Sequence, residues 1–345
     1  MITVKKHGII LKKTAFSFEN DSVLNPAVFQ ENNTLHLLYR AVRKGNYSTV
    51  GYCQLDGPLK IVERNDTPLI IPFDDDESNG VEDPRIVKID GIYFITYTAY
   101  NGVNALGALV TSTDLKTFER HGIIVPKYTF DEFKKLAECN NAINAKYFRH
   151  VRHFEHNKQI YLWDKDVVFF PRKINGKLAF LHRIRPGIQL VMVEDLKELT
   201  KEFWDHYFLH FNKHIIMDPV GVNHESGYLG AGAPPIETEL GWLLIYHGVY
   251  DTSEGYIYSA AAALLDIDNP LKVIARLIDP LFIPAEEYEL KGVVNNVVFP
   301  TGTALFGDTL YIYYGAADKC IAVASVSLKE LLQELMLNKT NDENF

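Results

Sequence analysis

Leu35-His36-Leu37-Leu38-Tyr39-Arg40 follows the polar turn Asn32-Asn33, alternates apolar residues and ends on an aromatic and a base. Such alternation marks a strand in a sheet, because successive side chains point to opposite faces. The pattern returns as Tyr93-Phe94-Ile95-Thr96-Tyr97-Thr98 and Leu178-Ala179-Phe180-Leu181-His182-Arg183. It returns again as Trp242-Leu243-Leu244-Ile245-Tyr246-His247 and Leu310-Tyr311-Ile312-Tyr313-Tyr314-Gly315. The aromatic or histidine positions lie 58, 85, 64 and 68 residues apart.

Upstream of each copy lies a second run that opens on a polar residue or glycine. These are Asn25-Pro26-Ala27-Val28-Phe29, Asp83-Pro84-Arg85-Ile86-Val87 and Asp166-Val167-Val168-Phe169-Phe170-Pro171, then Gly232-Ala233-Pro234-Pro235-Ile236 and Asn296-Val297-Val298-Phe299-Pro300. Between the paired runs stand residues suited to tight turns, such as Asp90-Gly91, Asn175-Gly176, Gly241 and Gly307-Asp308. A unit of roughly 60–70 residues holds about four short strands, the content of one propeller blade. Five such units use nearly all 345 residues. The expected fold is therefore all-β, a five-bladed β-propeller forming one domain over residues 1–345, since no linker rich in Pro, Gly or Ser divides the chain. A β-sandwich with similar hairpins is the alternative.

The 85-residue spacing predicts an insertion in the third repeat. Phe130 to Cys139 reads as a helix within it, Leu196 to Phe208 as a second helix, and Ser327 to Leu337 as a C-terminal helix with Leu328, Leu331, Leu332 and Leu335 on one stripe.

In a propeller the first strands of successive blades line a central channel, so Asn25, Asp83, Asp166 and Asn296 would converge on one funnel. Pro84 restricts Asp83 towards extended geometry at a strand start. Asp83 beside Arg85 reads either as an ion pair or as an acid. The second strands end in Arg40, Arg183 and His247, and Arg149, Arg152 and Lys165 precede Asp166. Cations gathered in a chain of net charge −9 point to a bound anion or a carboxylate network. Guanidinium groups suit forked oxyanions such as phosphate. Salt bridges between blades are the plainer reading.

The same net charge disfavours a nucleic-acid partner. Three widely spaced cysteines, Cys53, Cys139 and Cys320, suit a reducing compartment and form no metal-type pair. No apolar run is long enough for a signal peptide or a membrane span, so a cytoplasmic protein is expected. Asp74-Asp75-Asp76-Glu77 reads as a solvated loop, and His150, His153 and His156 share no strand face for a metal. No Gly-rich phosphate loop or nucleophile elbow occurs.

Several of these segments resemble glycoside hydrolase family 130, the inverting mannoside phosphorylases. They are Asn25-Pro26 with Tyr39-Arg40, Gly80-Val81-Glu82-Asp83-Pro84-Arg85-Ile86, and Lys165-Asp166 with Phe170-Pro171 and Lys173-Ile174-Asn175-Gly176-Lys177. To these add Leu181-His182-Arg183, then Gly230-Ala231-Gly232-Ala233-Pro234-Pro235-Ile236-Glu237-Thr238 with Gly241 to Gly248, and Tyr314-Gly315-Ala316-Ala317-Asp318.

The resemblance implies a five-bladed propeller that transfers a β-mannosyl group to inorganic phosphate with inversion, giving α-mannose 1-phosphate. Hydrolysis by an inverting β-mannosidase, of β-1,2- or β-1,4-mannosides, is the alternative within the family. A non-catalytic sugar-binding propeller is the alternative outside it. Asp83 falls on the family's general acid, which protonates the leaving oxygen through the mannose 3-hydroxyl. That role calls for a raised pKa. Asn25, Arg40 and Asp318 match mannosyl-binding positions, and Arg85, Asp166 and Tyr246 complete the expected substrate-binding set. Arg149, Lys165 and His247 match phosphate-binding positions. If water replaces phosphate, Glu225 or Glu237 becomes the candidate base. No metal or organic cofactor is implied, only a β-mannoside and phosphate as co-substrates. The insertion and the C-terminal helix are candidate contacts between identical chains.

Overall fold

Asp90 and Gly91 both adopt positive φ (51° and 84°), the type I′ geometry that joins two strands in register with their twist, and Ile89 pairs with Ile92 across them. Local hairpins of this kind build a mostly β chain. The computed structural model describes residues 2–140, 143–148, 159–221 and 223–339.

Five antiparallel units follow one another. The first holds Ser22–Glu31, Thr34–Arg43, Tyr47–Asp56 and Lys60–Arg64; the second holds Gly80–Ile89, Ile92–Tyr100, Ala105–Ser112 and Glu119–Ile123. A single parallel bridge, Ser48 to Gly80, links these two into one sheet. The third unit holds Lys165–Phe169, Leu178–Arg183, Ile188–Val193 and Ile215–Met217. In the fourth, Tyr228–Ala231 and Ile236–Thr238 both pair with Gly241–Thr252, followed by Gly255–Leu265 and Val273–Arg276. The fifth holds Val298–Phe306, Thr309–Ala316 and Cys320–Ser327, and its outermost strand is the N-terminal Lys5–Leu11. Nothing in the sequence pattern assigned the N-terminal strand to the last unit.

Apolar clusters fill the spaces between neighbours. Leu38 and Val50 meet Val81 and Ile95, Val87 and Leu109 meet Val167 and Phe180, and Phe170 and Leu190 meet Trp242 and Leu244. Leu243 and Ile245 meet Val298 and Ile312, while Leu37 and Val28 of the first unit meet Tyr313 and Val323 of the last. Each such side chain contributes about 1.5–3 kcal/mol by leaving water.

Helix Phe130–Glu138 lies in the insertion, and helix Lys201–Leu209 lies between the third and fourth strands of the third unit. Thr129 and Glu132 form a capping box that starts the first, and Thr200 caps the second. The second helix begins five residues later than the sequence suggests. Residues Leu196–Glu198 form a separate 3-10 turn capped by Asp195, and Leu199 breaks away from helical geometry. Phe133 meets Phe208 and Phe211 edge-on at 5.0 and 5.2 Å, locking the two helices together. Helix Leu328–Leu337, capped by Ser327, buries Leu331 and Leu335. Among the described residues no helix is long and apolar enough to cross a membrane.

The repeated aromatic has one job in four units. Tyr39, Tyr97, Tyr246 and Tyr314 donate to Glu19, Glu77, Glu225 and Glu289 at 2.7, 2.6, 2.6 and 2.7 Å. All four glutamates are buried. Each is paired with a cation from its unit's outermost strand: Arg64 at 2.8 Å, Arg120 at 3.3 Å, Arg276 at 2.6 Å and Lys6 at 2.5 Å. A buried carboxylate needs both partners to offset its desolvation. Glu77 therefore corrects the expectation that Asp74 to Glu77 is a solvated loop. It is anchored, and it also accepts the Phe73 backbone N–H at 2.8 Å.

Candidate active site

Asn25, Asp83 and Asp166 do not open their strands as the sequence suggests. Each sits where the pairing register slips, between Leu24 and Ala27, Glu82 and Arg85, and Lys165 and Val168. Their φ angles are 49°, 49° and 54°, with Asn296 at 60° and Asp318 at 52°. Asn and Asp tolerate this left-handed conformation better than other residues with a Cβ, and a bulge re-aims the side chain. The extended geometry expected of Asp83 before Pro84 is thus overridden, and the surrounding bonds hold the strain.

These bulges bring the first two units' polar residues together. Asn25 Nδ2 donates to Asp83 Oδ1 at 2.7 Å. Arg40 reaches Glu82 Oε1 at 2.6 Å and Asp83 Oδ1 at 3.3 Å, with its Nε on Ser48 Oγ at 2.9 Å. Lys165 Nζ lies 3.8 Å from Glu82 Oε2. Gly315 is required beside Asn25, because a Cβ there would collide with the Asn25 amide oxygen.

A second group lies between the third and fourth units. Arg183 Nη1 stands 2.8 Å from Asp166 Oδ2 and 3.2 Å from His247 Nε2, and His247 Nε2 is 3.8 Å from the same Asp166 oxygen. Gly230 lets the His247 ring and Asp166 close over its strand, since a Cβ would strike both. Arg85 joins the two groups. Its guanidinium donates to the carbonyls of Asp83, Pro84, Ala231 and Gly232 and approaches Asp166 Oδ1 at 4.0 Å. Expected to touch substrate, Arg85 is instead almost fully spent on backbone oxygens and fixes the bulge that carries Asp83.

The charges set the protonation states. Burial pushes the Asp83 carboxyl up, but Arg40, Lys165, the Asn25 amide and Arg85 together pull it down to about 2. This reverses the raised pKa expected for it. The raised carboxyl is Asp318, pushed to about 6 by burial and by Asp83 and Glu82 against the pull of Arg40. Burial drops His247 to about 3, with Arg183, Arg85 and Arg185 adding to the fall and Asp166 opposing it. Neutral His247 accepts from Arg183 at Nε2, so its hydrogen is on Nδ1. Among the described residues, no group meets His247 Nδ1 or Arg183 Nε, and both atoms are buried.

Three expected residues stand apart. Tyr246 points to the face opposite His247, and its hydroxyl is taken by Glu225 and by Arg276 at 2.9 Å. Glu225 is the matching member of that structural triad, with His224 at 3.4 Å, and stays below its usual pKa despite burial. Glu237 pairs with Arg172 through both oxygens at 2.8 Å and is exposed. It lies opposite Trp242, five positions along the strand from His247, or about 16 Å at strand rise. Neither glutamate joins the cluster. Arg149, with Arg152 and His150, His153 and His156, lies outside the described residues. Arg183 was legible as one of the strand-end cations, yet its contact with Asp166 and His247 had no local signal.

Comparison with known proteins places the chain in a family. The family model described as β-1,4-mannooligosaccharide phosphorylase matches residues 9–337. A 1,2-β-oligomannan phosphorylase of Thermoanaerobacter sp. (strain X514) is 34% identical over 333 residues, covering 94% of this chain and 96% of the relative. A β-1,2-mannobiose phosphorylase of the same organism is 34% identical over 330 residues, covering 91% and 93%. Among solved structures, the β-1,2-mannobiose phosphorylase of Listeria innocua superposes with a TM-score of 0.75 at 23% identity, covering 97% of this chain and 100% of that one. This chain belongs to glycoside hydrolase family 130.

Proposed function

We infer that this chain is an inverting β-mannoside phosphorylase, one catalytic domain whose five units close into a five-bladed propeller. The observation that carries the reaction type is the pair of buried N–H donors without a partner among the described residues, His247 Nδ1 and Arg183 Nε, close to Asp166, Lys165 and Arg85. Buried donors cost free energy unless an acceptor fills them, and a phosphate oxyanion supplies acceptors on every side. Ring closure is supported by contacts between first strands: Asn25 with Asp83, Arg85 with Gly232, and Thr301 Oγ1 with the Pro26 carbonyl at 2.8 Å.

In this reading Asn25, Arg40 and Asp318 hold the mannosyl unit, while Lys165, Arg183 and His247 orient phosphate. Phosphate oxygen bonds to the anomeric carbon from the face opposite the departing oxygen, so the product is α-mannose 1-phosphate. Held ionised in the free site by Arg40, Lys165 and Asn25, Asp83 must first take up a proton; it then passes it to the mannose 3-hydroxyl, whose own proton goes to the leaving oxygen. Because Asp83 shares charges with Asp318, the carboxyls titrate together, and Asp318 keeps a proton in the cluster near pH 6. Phosphate arrives as an anion and needs binding and alignment, not a base. Hydrolysis needs a base, and Glu225 and Glu237 are both engaged elsewhere.

We assign β-1,2-linked manno-oligosaccharides as substrates, following the two relatives at 34% identity. Product analysis from β-1,2- and β-1,4-mannobiose, with and without phosphate, tests both points. The expected result is α-mannose 1-phosphate, released from the β-1,2 substrate only when phosphate is present. Free mannose formed at the same rate without phosphate would overturn the reading.

A further inference from the structure

Four units tie a strand tyrosine to a buried glutamate and to a cation of the outermost strand; the third unit departs from this. Its strand residue is His182, its carboxylate is Asp164, and its third member is Tyr207 of helix Lys201–Leu209. His182 Nδ1 faces the two Asp164 oxygens at 3.0 and 2.8 Å and donates to the carboxyl group. The Tyr207 hydroxyl lies 2.8 Å from His182 Nε2 and 3.0 Å from the Leu190 carbonyl, so its single hydrogen is held between these two acceptors. All three side chains are buried.

This triad touches the anion-binding group through the backbone. Asp164 Oδ1 accepts the Arg183 backbone N–H at 3.3 Å, and Lys165 pairs directly with Arg183 across the ladder. Side chains alternate along a strand, so fixing His182 on one face fixes Arg183 on the other. There its guanidinium meets Asp166 and His247. Lys165 and Asp166 follow Asp164 in sequence, so one carboxylate holds both strands that deliver these groups. Only in this unit does the third partner come from outside the sheet.

We propose that His182, clamped between Asp164 and Tyr207, is a positioning residue for the phosphate-binding side of the site, so that helix Lys201–Leu209 sets phosphate affinity. The inference rests on the phosphorylase reading. A small error in the placement of an orienting group is felt directly in binding and alignment. Cutting the link to the helix frees the His182 ring, and Arg183 loses its fixed aim at Asp166 and His247.

The test uses the full chain with β-1,2-mannobiose, comparing Tyr207→Phe, His182→Asn and Tyr97→Phe with the unaltered protein. His182→Asn keeps a donor for Asp164 and loses reach to Tyr207. Tyr97→Phe breaks the matching bond of the second unit, away from Arg183. Initial rates at varied phosphate are paired with calorimetric titration of inorganic phosphate and with melting curves. For Tyr207→Phe and His182→Asn, the phosphate KM and Kd should rise about three- to tenfold, the effect of one lost buried hydrogen bond. Their kcat and mannoside KM should stay within about twofold. Tyr97→Phe should lower the melting temperature and leave phosphate KM unchanged. Unchanged phosphate KM in Tyr207→Phe, or an equal rise in Tyr97→Phe, overturns the proposal. Turnover of the unaltered protein that ignores phosphate overturns the phosphorylase reading instead, and is seen before any variant is compared.

Discussion

Asn25 donates its side-chain amide to Asp83 Oδ1 across 2.7 Å, although the two residues are 58 positions apart and belong to different units. Both hold left-handed backbone at a bulge, so each unit spends local strain to point one polar group at its neighbour's. The proposed acid is thereby fixed from one side by an amide and from the other by Arg40.

Replacing Asp83 with Asn removes the proton donor and keeps its shape. Turnover of β-1,2-mannobiose with phosphate should fall by about 10²–10⁴, the usual scale for a positioned acid. Circular dichroism should remain that of the unaltered chain. Retention of more than a tenth of the rate would exclude Asp83 as the acid.

Asp318→Asn should separate stability from activity. Burial, with Asp83 and Glu82 nearby, raises the folded Asp318 carboxyl from the usual 3.8 to about 6, so its ionisation opposes folding. The carboxyl costs nothing below about pH 4 and weighs increasingly against the fold as pH rises through about 6. The variant should match the unaltered protein near pH 4.5 and exceed it at pH 8 by on the order of 1–2 kcal/mol, a figure discounted for partial exposure. Melting temperatures across that range give the answer, and a lower value for the variant at pH 8 contradicts the assignment. Activity should drop in the same variant as a mannosyl contact is lost.

Glu225→Gln and Glu237→Gln separate phosphorolysis from hydrolysis. Glu225 belongs to a buried triad, so its loss should destabilise the fold by about 3–5 kcal/mol, with the surviving folded protein still requiring phosphate. Glu237 forms a surface pair, worth less than about 1 kcal/mol, and its replacement should change nothing in rate. Complete loss of turnover in well-folded Glu237→Gln would place the base there.

Arg183→Lys retains the charge and loses the fork that reaches Asp166 and His247 together. Phosphate KM should increase about tenfold or more, because Lys offers a point charge in place of paired donors. The mannoside KM should move far less. Steady-state kinetics with each substrate varied in turn distinguishes the two.

The hairpins, the helix caps and the five repeats were readable because strand alternation, I′ turns and capping boxes involve residues within a few positions of one another. Even the structural triads leave a trace: the carboxylates precede their tyrosine or histidine by 20, 20, 18, 21 and 25 residues. An isolated glutamate reads as solvent-facing charge, so this spacing alone does not announce a brace. Tyr246 and Glu225, expected at the site by resemblance, form the fourth copy of that brace.

The sequence by itself determined the order of strands, the position of the insertion and the supply of carboxylates and cations at strand ends. Only the tertiary structure decided what those groups do. Whether Asp83 or Asp318 holds a proton depends on the summed field of Arg40, Lys165, Glu82 and each other, brought together from four units. Coulomb interactions depend on separation in space and on burial, and neither is written in the spacing along the chain.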